Sequence, residues 1–96
     1  MTRVAVIGPG RVGTALAMAL PAPVYTVVAV AGRGRASLEA FAARLPDAAV
    51  AAPGVAAGDA DLVLVCVPDD ALADVVQAVA RADWVRPGSR WVHVSG

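Results

Sequence analysis

The residues with the clearest chemical potential are the glycines of Gly8-Pro9-Gly10-Arg11-Val12-Gly13. They follow an apolar run at residues 3–8 and open a helical pattern at 11–20. In such a turn the first glycine permits the tight bend, and the second lets a phosphate approach the backbone. The third glycine lets the helix pack closely on the strand. The pattern predicts a pyrophosphate-binding loop; a glycine-rich turn without a ligand is the alternative.

A second group of polar residues, Arg33, Arg35 and Ser37, follows the apolar run 24–31. It lies about 20 residues beyond the glycine loop, where NAD enzymes place a carboxylate that accepts hydrogen bonds from the ribose 2′-OH. Residues 1–38 contain no acid, and all eight acids fall in 39–96. We therefore expect these three side chains to bind the 2′-phosphate of NADP, and expect NAD to bind less well. Solvated arginines on a turn are the alternative.

The acid-free stretch also contains Arg3 and Arg11, which makes the N-terminal part the natural place for an anionic ligand. Arg11 opens a helix, where a cation is unfavourable for the helix dipole. A bound phosphate would offset that cost, whereas an exposed side chain without a role is equally compatible with the sequence. Gly32 and Gly34 are expected to keep the neighbouring loop slim enough for a phosphate to approach.

Other reactive side chains are better explained structurally. Cys66 is the single cysteine, so the chain has no internal disulfide, and its apolar surroundings predict a small buried residue in a cytoplasmic protein. Asp69 and Asp70 are expected to cap a helix. His93 and Ser95 are expected to be structural residues near the end of the last strand, although a catalytic role stays open.

Apolar periodicity divides the chain into alternating strands and helices. Strands are predicted at 3–8, 24–31, 48–51, 61–67 and 90–95. Helices are predicted at 11–20, at 37–45 and after Pro68, with a loop or single helical turn at 53–59. This alternation predicts an α/β fold, a Rossmann-like doubly wound parallel sheet of about five strands in the order 3-2-1-4-5. Ligands bind such sheets at the carboxyl ends of the strands, so we expect a crevice formed by residues 8–13, 67–70 and 95–96.

Length and composition set further bounds. A chain of 96 residues with 58% hydrophobic side chains is sufficient for one small domain, here with a core rich in alanine and valine. The net charge of zero argues against nucleic acid or an acidic membrane as a partner. The uncharged stretch 12–32 is interrupted by Pro21 and Pro23, which excludes a membrane span.

Three segments, "VAVIGPGRVGTALA", "DLVLVCVPDDAL" and "RPGSRWVHVSG", together resemble the N-terminal domain of a family of Rossmann-like NADP-dependent oxidoreductases. Members of that family have a C-terminal domain of unknown function, and the family is similar to pyrroline-5-carboxylate reductase and to 3-hydroxyisobutyrate and 6-phosphogluconate dehydrogenases. The resemblance spans nearly all of residues 1–96. It implies a helical C-terminal domain that helps to form the substrate site and usually a dimer. This chain stops before that domain, so we expect residues 1–96 to be a dinucleotide-binding domain, a fragment without turnover of its own, and a possible homo-oligomer.

The resemblance also assigns residues to parts of the cofactor. It implies that the pyrophosphate is lined by Gly8, Pro9, Gly10, Arg11 and Val12. It implies that Arg33, Arg35 and Ser37 meet the adenosine ribose and its phosphate. Val67 and Pro68 would lie against the nicotinamide ribose.

Two other classes of protein share part of this pattern. Non-catalytic nucleotide-sensing modules that regulate potassium transport have similar glycine loops, and methyltransferases have similar "GPG" loops. Both typically have an acid after the second strand, which is absent here. The substrate of an oxidoreductase is not specified by the sequence.

Overall fold

The computed structural model describes residues 1–82 and 86–94 and forms a sheet with helices on both faces. The strands are β1 (Thr2–Ile7), β2 (Tyr25–Ala31), β3 (Ala49–Val50), β4 (Leu62–Val65) and β5 (Arg90–His93). The helices are α1 (Arg11–Ala19), α2 (Arg35–Arg44), α3 (Pro53–Gly58) and α4 (Asp69–Ala82). In these ranges no helix is long and apolar enough to cross a membrane.

The sheet has the predicted topology. Its order is β3-β2-β1-β4-β5, and every neighbouring pair of strands is parallel. This order confirms the Rossmann-like α/β fold. The strand order reverses between β1, the central strand, and its neighbour β4. The register of β1 against β2 shifts between Val4 and Ala5, so that Val28 is an additional residue in β2.

Two apolar layers hold the helices on the sheet. On one face α1 and α2 pack on β1 and β2, and Phe41 of α2 is the largest fully buried side chain. On the other face α3 and α4 pack on β1, β2 and β4 through small side chains such as Ala56 and Val79. The core is built from alanine and valine as expected, and contains no buried polar residue in the described part of the chain. Because small side chains bring backbones close together, few atoms separate the helices from the sheet.

Several boundaries differ from the predicted ones. Helix α2 begins at Arg35 rather than at residue 37, which moves Arg35 from the loop into the first helical turn. The segment 53–59, predicted as a loop or a single turn, forms the six-residue helix α3, with Pro53 at its start. Both β4 and β5 are shorter than predicted, at four residues each. On α4, Val79 is buried, whereas Val76 one turn earlier is half exposed.

Not every arginine of the acid-free stretch 1–38 lies near the glycine loop. Arg3 lies at the amino end of β1, the end opposite the glycine loop, where its Nη2 is 2.8 Å from Asp59 Oδ1. Its backbone N–H donates to the carboxylate of Asp61, which also lies 3.3 Å from Arg86 Nη1. These contacts join β1 and β4 at the amino end of the sheet, so Arg3 has a structural role.

Candidate functional site

A cleft of about 610 Å³ opens at the carboxyl ends of the strands, between β1 and β4. Its walls come from the β1–α1, β2–α2 and β4–α4 connections and from one side of α4. Of the predicted site residues, the cleft is lined by Gly8, Pro9, Gly10, Arg33, Ser37, Val67 and Pro68. The fold thus brings three segments that are distant in sequence to one place.

Gly8 is the residue that turns the chain from β1 into the loop. Its φ of +94° is in the left-handed region, and a Cβ at this position would lie 2.5 Å from the carbonyl oxygen of Cys66. Gly13 is buried, and a Cβ there would collide with the carbonyl oxygen of Gly8. Both glycines are therefore required by close packing of α1 and of the β4–α4 connection around the loop.

Gly10 has a different role, because a Cβ at this position would have no atom within 4 Å. It is the N-cap of α1 and has an extended conformation, and no side chain caps the helix. The N–H groups of the first turn, beginning at Arg11, have no partner within an α-helix. Since Gly10 lines the cleft, these donors lie at its edge and can bind an anion.

Thr14 is a site residue that the sequence reasoning missed. Its hydroxyl donates to the carbonyl oxygen of Pro9 at 3.0 Å, and its N–H donates to the carbonyl oxygen of Gly10 at 2.9 Å. These two bonds fix the carbonyls of the glycine loop against α1. The available signal was a hydroxyl residue one turn after Gly10, a spacing at which a side chain can reach the loop.

The predicted site residues at the β2–α2 connection do not all line the cleft. Arg33 and Ser37 line the cleft, whereas Arg35 is not among its lining residues. The Arg35 side chain is 91% exposed, and its Nε donates to Glu39 Oε1 at 3.1 Å. The acid-free stretch ends at residue 38, and one helical turn brings Glu39 beside Arg35.

The role predicted for Gly32 also changes. A Cβ at Gly32 would collide with the ring of Pro9, which is buried. Gly32 thus allows the β2–α2 connection to pack against the glycine loop. This contact fixes the position of Arg33 relative to Gly10.

The remaining residues predicted for the pyrophosphate lie beside the cleft. Val12 is half-buried in the first turn of α1 and does not line it. Arg11 is exposed and lines a neighbouring groove between α1 and α2.

Residues between β4 and α4 form the opposite wall. Val67 and Pro68 line it together with Cys66, whose N–H donates to the carbonyl oxygen of Ile7 at 2.7 Å. Cys66 is half-buried, and burial raises the pKa of its thiol above the ordinary value because the thiolate would lose hydration. The thiol is therefore protonated at neutral pH.

His93 contacts the same connection from β5. Its Nε2 lies 3.0 Å from the carbonyl oxygen of Val67 and 3.6 Å from Asp69 Oδ1. Asp69 and Asp70 are in the first turn of α4, where carboxylates stabilise the helix dipole. Ser95 and Gly96, predicted at the crevice, lie outside the described residues.

The groups that line the cleft are suited to binding a ligand. Among the described residues that line the cleft, Asp74 is the only acid and Arg33 the only base. Residues 1–82 and 86–94 contain no group of three or more histidine, cysteine or acidic side chains that could hold a metal ion. Backbone donors, glycine-lined approaches and an arginine suit a phosphorylated ligand with an extended shape.

Residues 1–96 match the Rossmann-like domain family, and the chain belongs to it. The fold and the glycine loop therefore define a domain of the kind that binds nucleotides in dehydrogenases and reductases. A comparison with curated proteins found no match.

Solved structures of oxidoreductases are similar to this chain. A candidate NADP oxidoreductase from Bacteroides fragilis is 26% identical with a TM-score of 0.81, over 97% of this chain and 35% of its own. An imine reductase from Streptomyces aurantiacus is 31% identical with a TM-score of 0.70, over 97% of this chain and 31% of its own. A variant imine reductase from Myxococcus stipitatus, in complex with NAD+, is 28% identical with a TM-score of 0.75, over 99% of this chain and 32% of its own. The chain thus spans about a third of the length of each.

Proposed function

We propose that this chain is the NADP(H)-binding domain of an oxidoreductase that transfers hydride to or from a small imine, carbonyl compound or hydroxy acid. The observation that carries the proposal is the meeting of Gly10, Arg33 and Ser37 in one cleft without a carboxylate at the end of β2. The imine reductases and the candidate NADP oxidoreductase among the similar structures support both the reaction and the substrate class.

In this proposal each wall of the cleft binds one part of the dinucleotide. The N–H groups at the start of α1 bind the pyrophosphate, and the absence of a Cβ at Gly10 lets it approach the backbone. Arg33 and Ser37 bind the 2′-phosphate through charge-assisted hydrogen bonds. Val67 and Pro68 give the nicotinamide ribose an apolar surface, as the family resemblance implies.

The bound nicotinamide would supply the hydride chemistry, and the protein would orient it. His93 holds the carbonyl of Val67, so it positions the β4–α4 connection on which the ribose would lie. Free Cys66 and a nicotinamide cofactor fit a reducing compartment, and we propose a cytoplasmic location.

The test of NADP recognition is a titration of the 96-residue chain with NADPH and NADH. We expect wild type to prefer NADPH. Arg33→Ala should weaken NADPH binding about 10- to 150-fold, with little effect on NADH. This loss of affinity corresponds to the free energy of one hydrogen bond to a charged group. Arg90→Ala is the matched control because Arg90 is exposed on β5, at the end of the sheet opposite the cleft. Equal affinity of wild type for both cofactors would contradict NADP selectivity.

A second titration separates the proposed function from nucleotide sensing and methyl transfer. The chain is titrated by calorimetry with NADPH, ATP and S-adenosylmethionine under one set of conditions. We expect NADPH to bind most tightly. Tighter binding of ATP would favour a nucleotide-sensing module over the proposed oxidoreductase domain, and tighter binding of S-adenosylmethionine would favour a methyltransferase.

A further inference from the structure

A second cavity of about 360 Å³ adjoins the cleft in the groove between α1 and α2. Pro9, Gly10 and Ser37 line both cavities, so these three residues form a shared wall. On the far side of that wall the groove is lined by two arginines, Arg11 and Arg44. A group bound at Ser37 is therefore within reach of positive charge from the groove as well as from the cleft.

The charges in this groove lack compensation. Three arginines, Arg3, Arg35 and Arg86, have carboxylate partners. Within residues 1–82 and 86–94, Arg11 and Arg44 have none, and no acid lines the groove. Uncompensated like charges in one concave surface create a positive potential that attracts an anion.

The position of each arginine adds to this potential. Arg11 occupies the first turn of α1, where the helix dipole is also positive, so an anion nearby relieves an unfavourable arrangement. Arg44 lies at the other end of the groove, and its Nη1 is 3.6 Å from Met18 Sδ on α1. Long helical side chains lean toward the N terminus of their own helix, which for Arg44 is the direction of Ser37.

Building on the proposed function, we infer that the α1/α2 groove is the outer half of the 2′-phosphate site and that Arg11 and Arg44 add to the preference for NADP that Arg33 gives. Arg33 faces the phosphate from the cleft, Ser37 lies on the shared wall, and the two groove arginines face it from the outside. Arg11 thus acts on the ribose phosphate rather than on the pyrophosphate. Ion-paired Arg35 contributes less than either groove arginine.

The experiment compares Arg11→Gln, Arg44→Gln and the double variant with wild type in titrations with NADPH and NADH. Glutamine keeps much of the side-chain length and removes the charge. Since both arginines are solvent-exposed, we expect NADPH binding to weaken about 2- to 5-fold for each variant and about 4- to 25-fold for both together. NADH binding should not change, because NADH lacks the phosphate.

Salt provides a second readout that a structural defect would not reproduce. Titrations are repeated at ionic strengths of about 0.01 M and about 0.15 M, where the screening lengths are about 30 Å and about 8 Å. We expect the double variant to lose much of the salt dependence of NADPH binding. The control is Arg81→Gln combined with Arg90→Gln, which removes the same charge from exposed positions outside both cavities.

The outcomes separate this inference from the proposed function. If wild type fails to bind NADPH, the proposed function is wrong. If wild type binds NADPH and Arg33→Ala reduces the preference, but the double groove variant keeps wild-type affinity and salt dependence, only the groove inference is wrong. Equal losses of NADPH and NADH in the groove variants would also overturn it, because they would place Arg11 and Arg44 at the pyrophosphate.

Discussion

The residues of the glycine loop have individual roles that sequence spacing alone does not separate. Gly8 and Gly13 are fixed by contacts within the protein, whereas Gly10 faces open space. Substitution by alanine should therefore reduce the stability of the fold at Gly8 and reduce ligand binding at Gly10. A side chain at Gly8 would contact backbone atoms and require a left-handed conformation, whereas a side chain at Gly10 would enter open space where we propose that the pyrophosphate binds.

We predict that Gly8→Ala destabilises the fold by more than about 2 kcal/mol, from backbone strain and the contact with Cys66. Gly10→Ala should cost less than about 1 kcal/mol, because its φ of −67° suits alanine, yet it should weaken NADPH binding. Chemical denaturation and cofactor titration of both variants provide the measurement. Wild-type affinity in a folded Gly10→Ala protein would contradict the position proposed for the pyrophosphate.

A second prediction at this scale concerns Cys66. Burial raises the pKa of its thiol, so the folded protein holds the proton more tightly than the unfolded chain does. The contribution to stability is complete below the ordinary thiol pKa of about 8.5 and is lost as pH rises through the raised value. The free energy of unfolding of wild type should thus fall more steeply above pH 8.5 than that of Cys66→Ala. If the free energies of unfolding of the two proteins change in parallel with pH, the pKa of the Cys66 thiol is not raised by folding.

At the scale of elements, α1 and the glycine loop behave as one unit because Thr14 joins them. Its hydroxyl holds the carbonyl of Pro9, while Pro9 packs on Gly32 of the β2–α2 connection. The orientation of the N–H groups at the start of α1 and the position of Arg33 therefore depend on the same short chain of contacts. Tight alanine and valine packing of both helices on the sheet leaves little freedom for either to move separately.

We predict that Thr14→Val reduces stability by about 0.5–1.5 kcal/mol, through the lost hydrogen bond, and weakens NADPH binding as the loop loses its fixed orientation. Thr14→Ser keeps the hydroxyl and is the matched control. Thermal denaturation and NADPH titration of both variants test the idea. If valine and serine variants bind NADPH equally well, Thr14 has no role in orienting the loop.

At the scale of the whole molecule, the two ends of the sheet have different electrostatic roles. The amino end carries Arg3 and Arg86 beside Asp59 and Asp61, and the glycine-loop side of the carboxyl end carries Arg11 and Arg33 without carboxylate partners in the described ranges. The acids Asp69 and Asp70 lie on the other side of the cleft, in the first turn of α4. Since the net charge is zero, we expect any attraction for an anion to be local to the glycine-loop side of the cleft.

A ligand that binds the folded state and not the unfolded state should stabilise the whole domain. At an NADPH concentration 100 times its Kd the free energy of unfolding should rise by about 2.7 kcal/mol, which for a domain of this length raises Tm by about 10–20 °C. NADH at the same concentration should give a smaller shift. The comparison is made by calorimetric scanning, and equal shifts would contradict the cofactor preference.

Local pattern was sufficient to predict the sheet order and the glycine loop. Each strand and helix has an apolar period that neighbouring residues determine, and right-handed crossovers then leave few topologies. The same pattern predicted that residues 8–13 and 67–70 converge, because the ends of parallel strands meet at one edge of the sheet.

Only the tertiary structure decided which charged residues face the cleft. Arg3 and Arg33 both lie in an acid-free stretch, but Arg3 finds Asp59 across 56 residues. Arg35 instead pairs with Glu39, four residues further along the chain, because α2 begins at Arg35 rather than at residue 37. The role of Gly32 likewise depends on a contact with Pro9 that forms only when the β2–α2 connection packs against the glycine loop. Secondary structure follows from interactions between near neighbours in sequence, whereas the partner of a side chain depends on distances that the packed sheet and helices set.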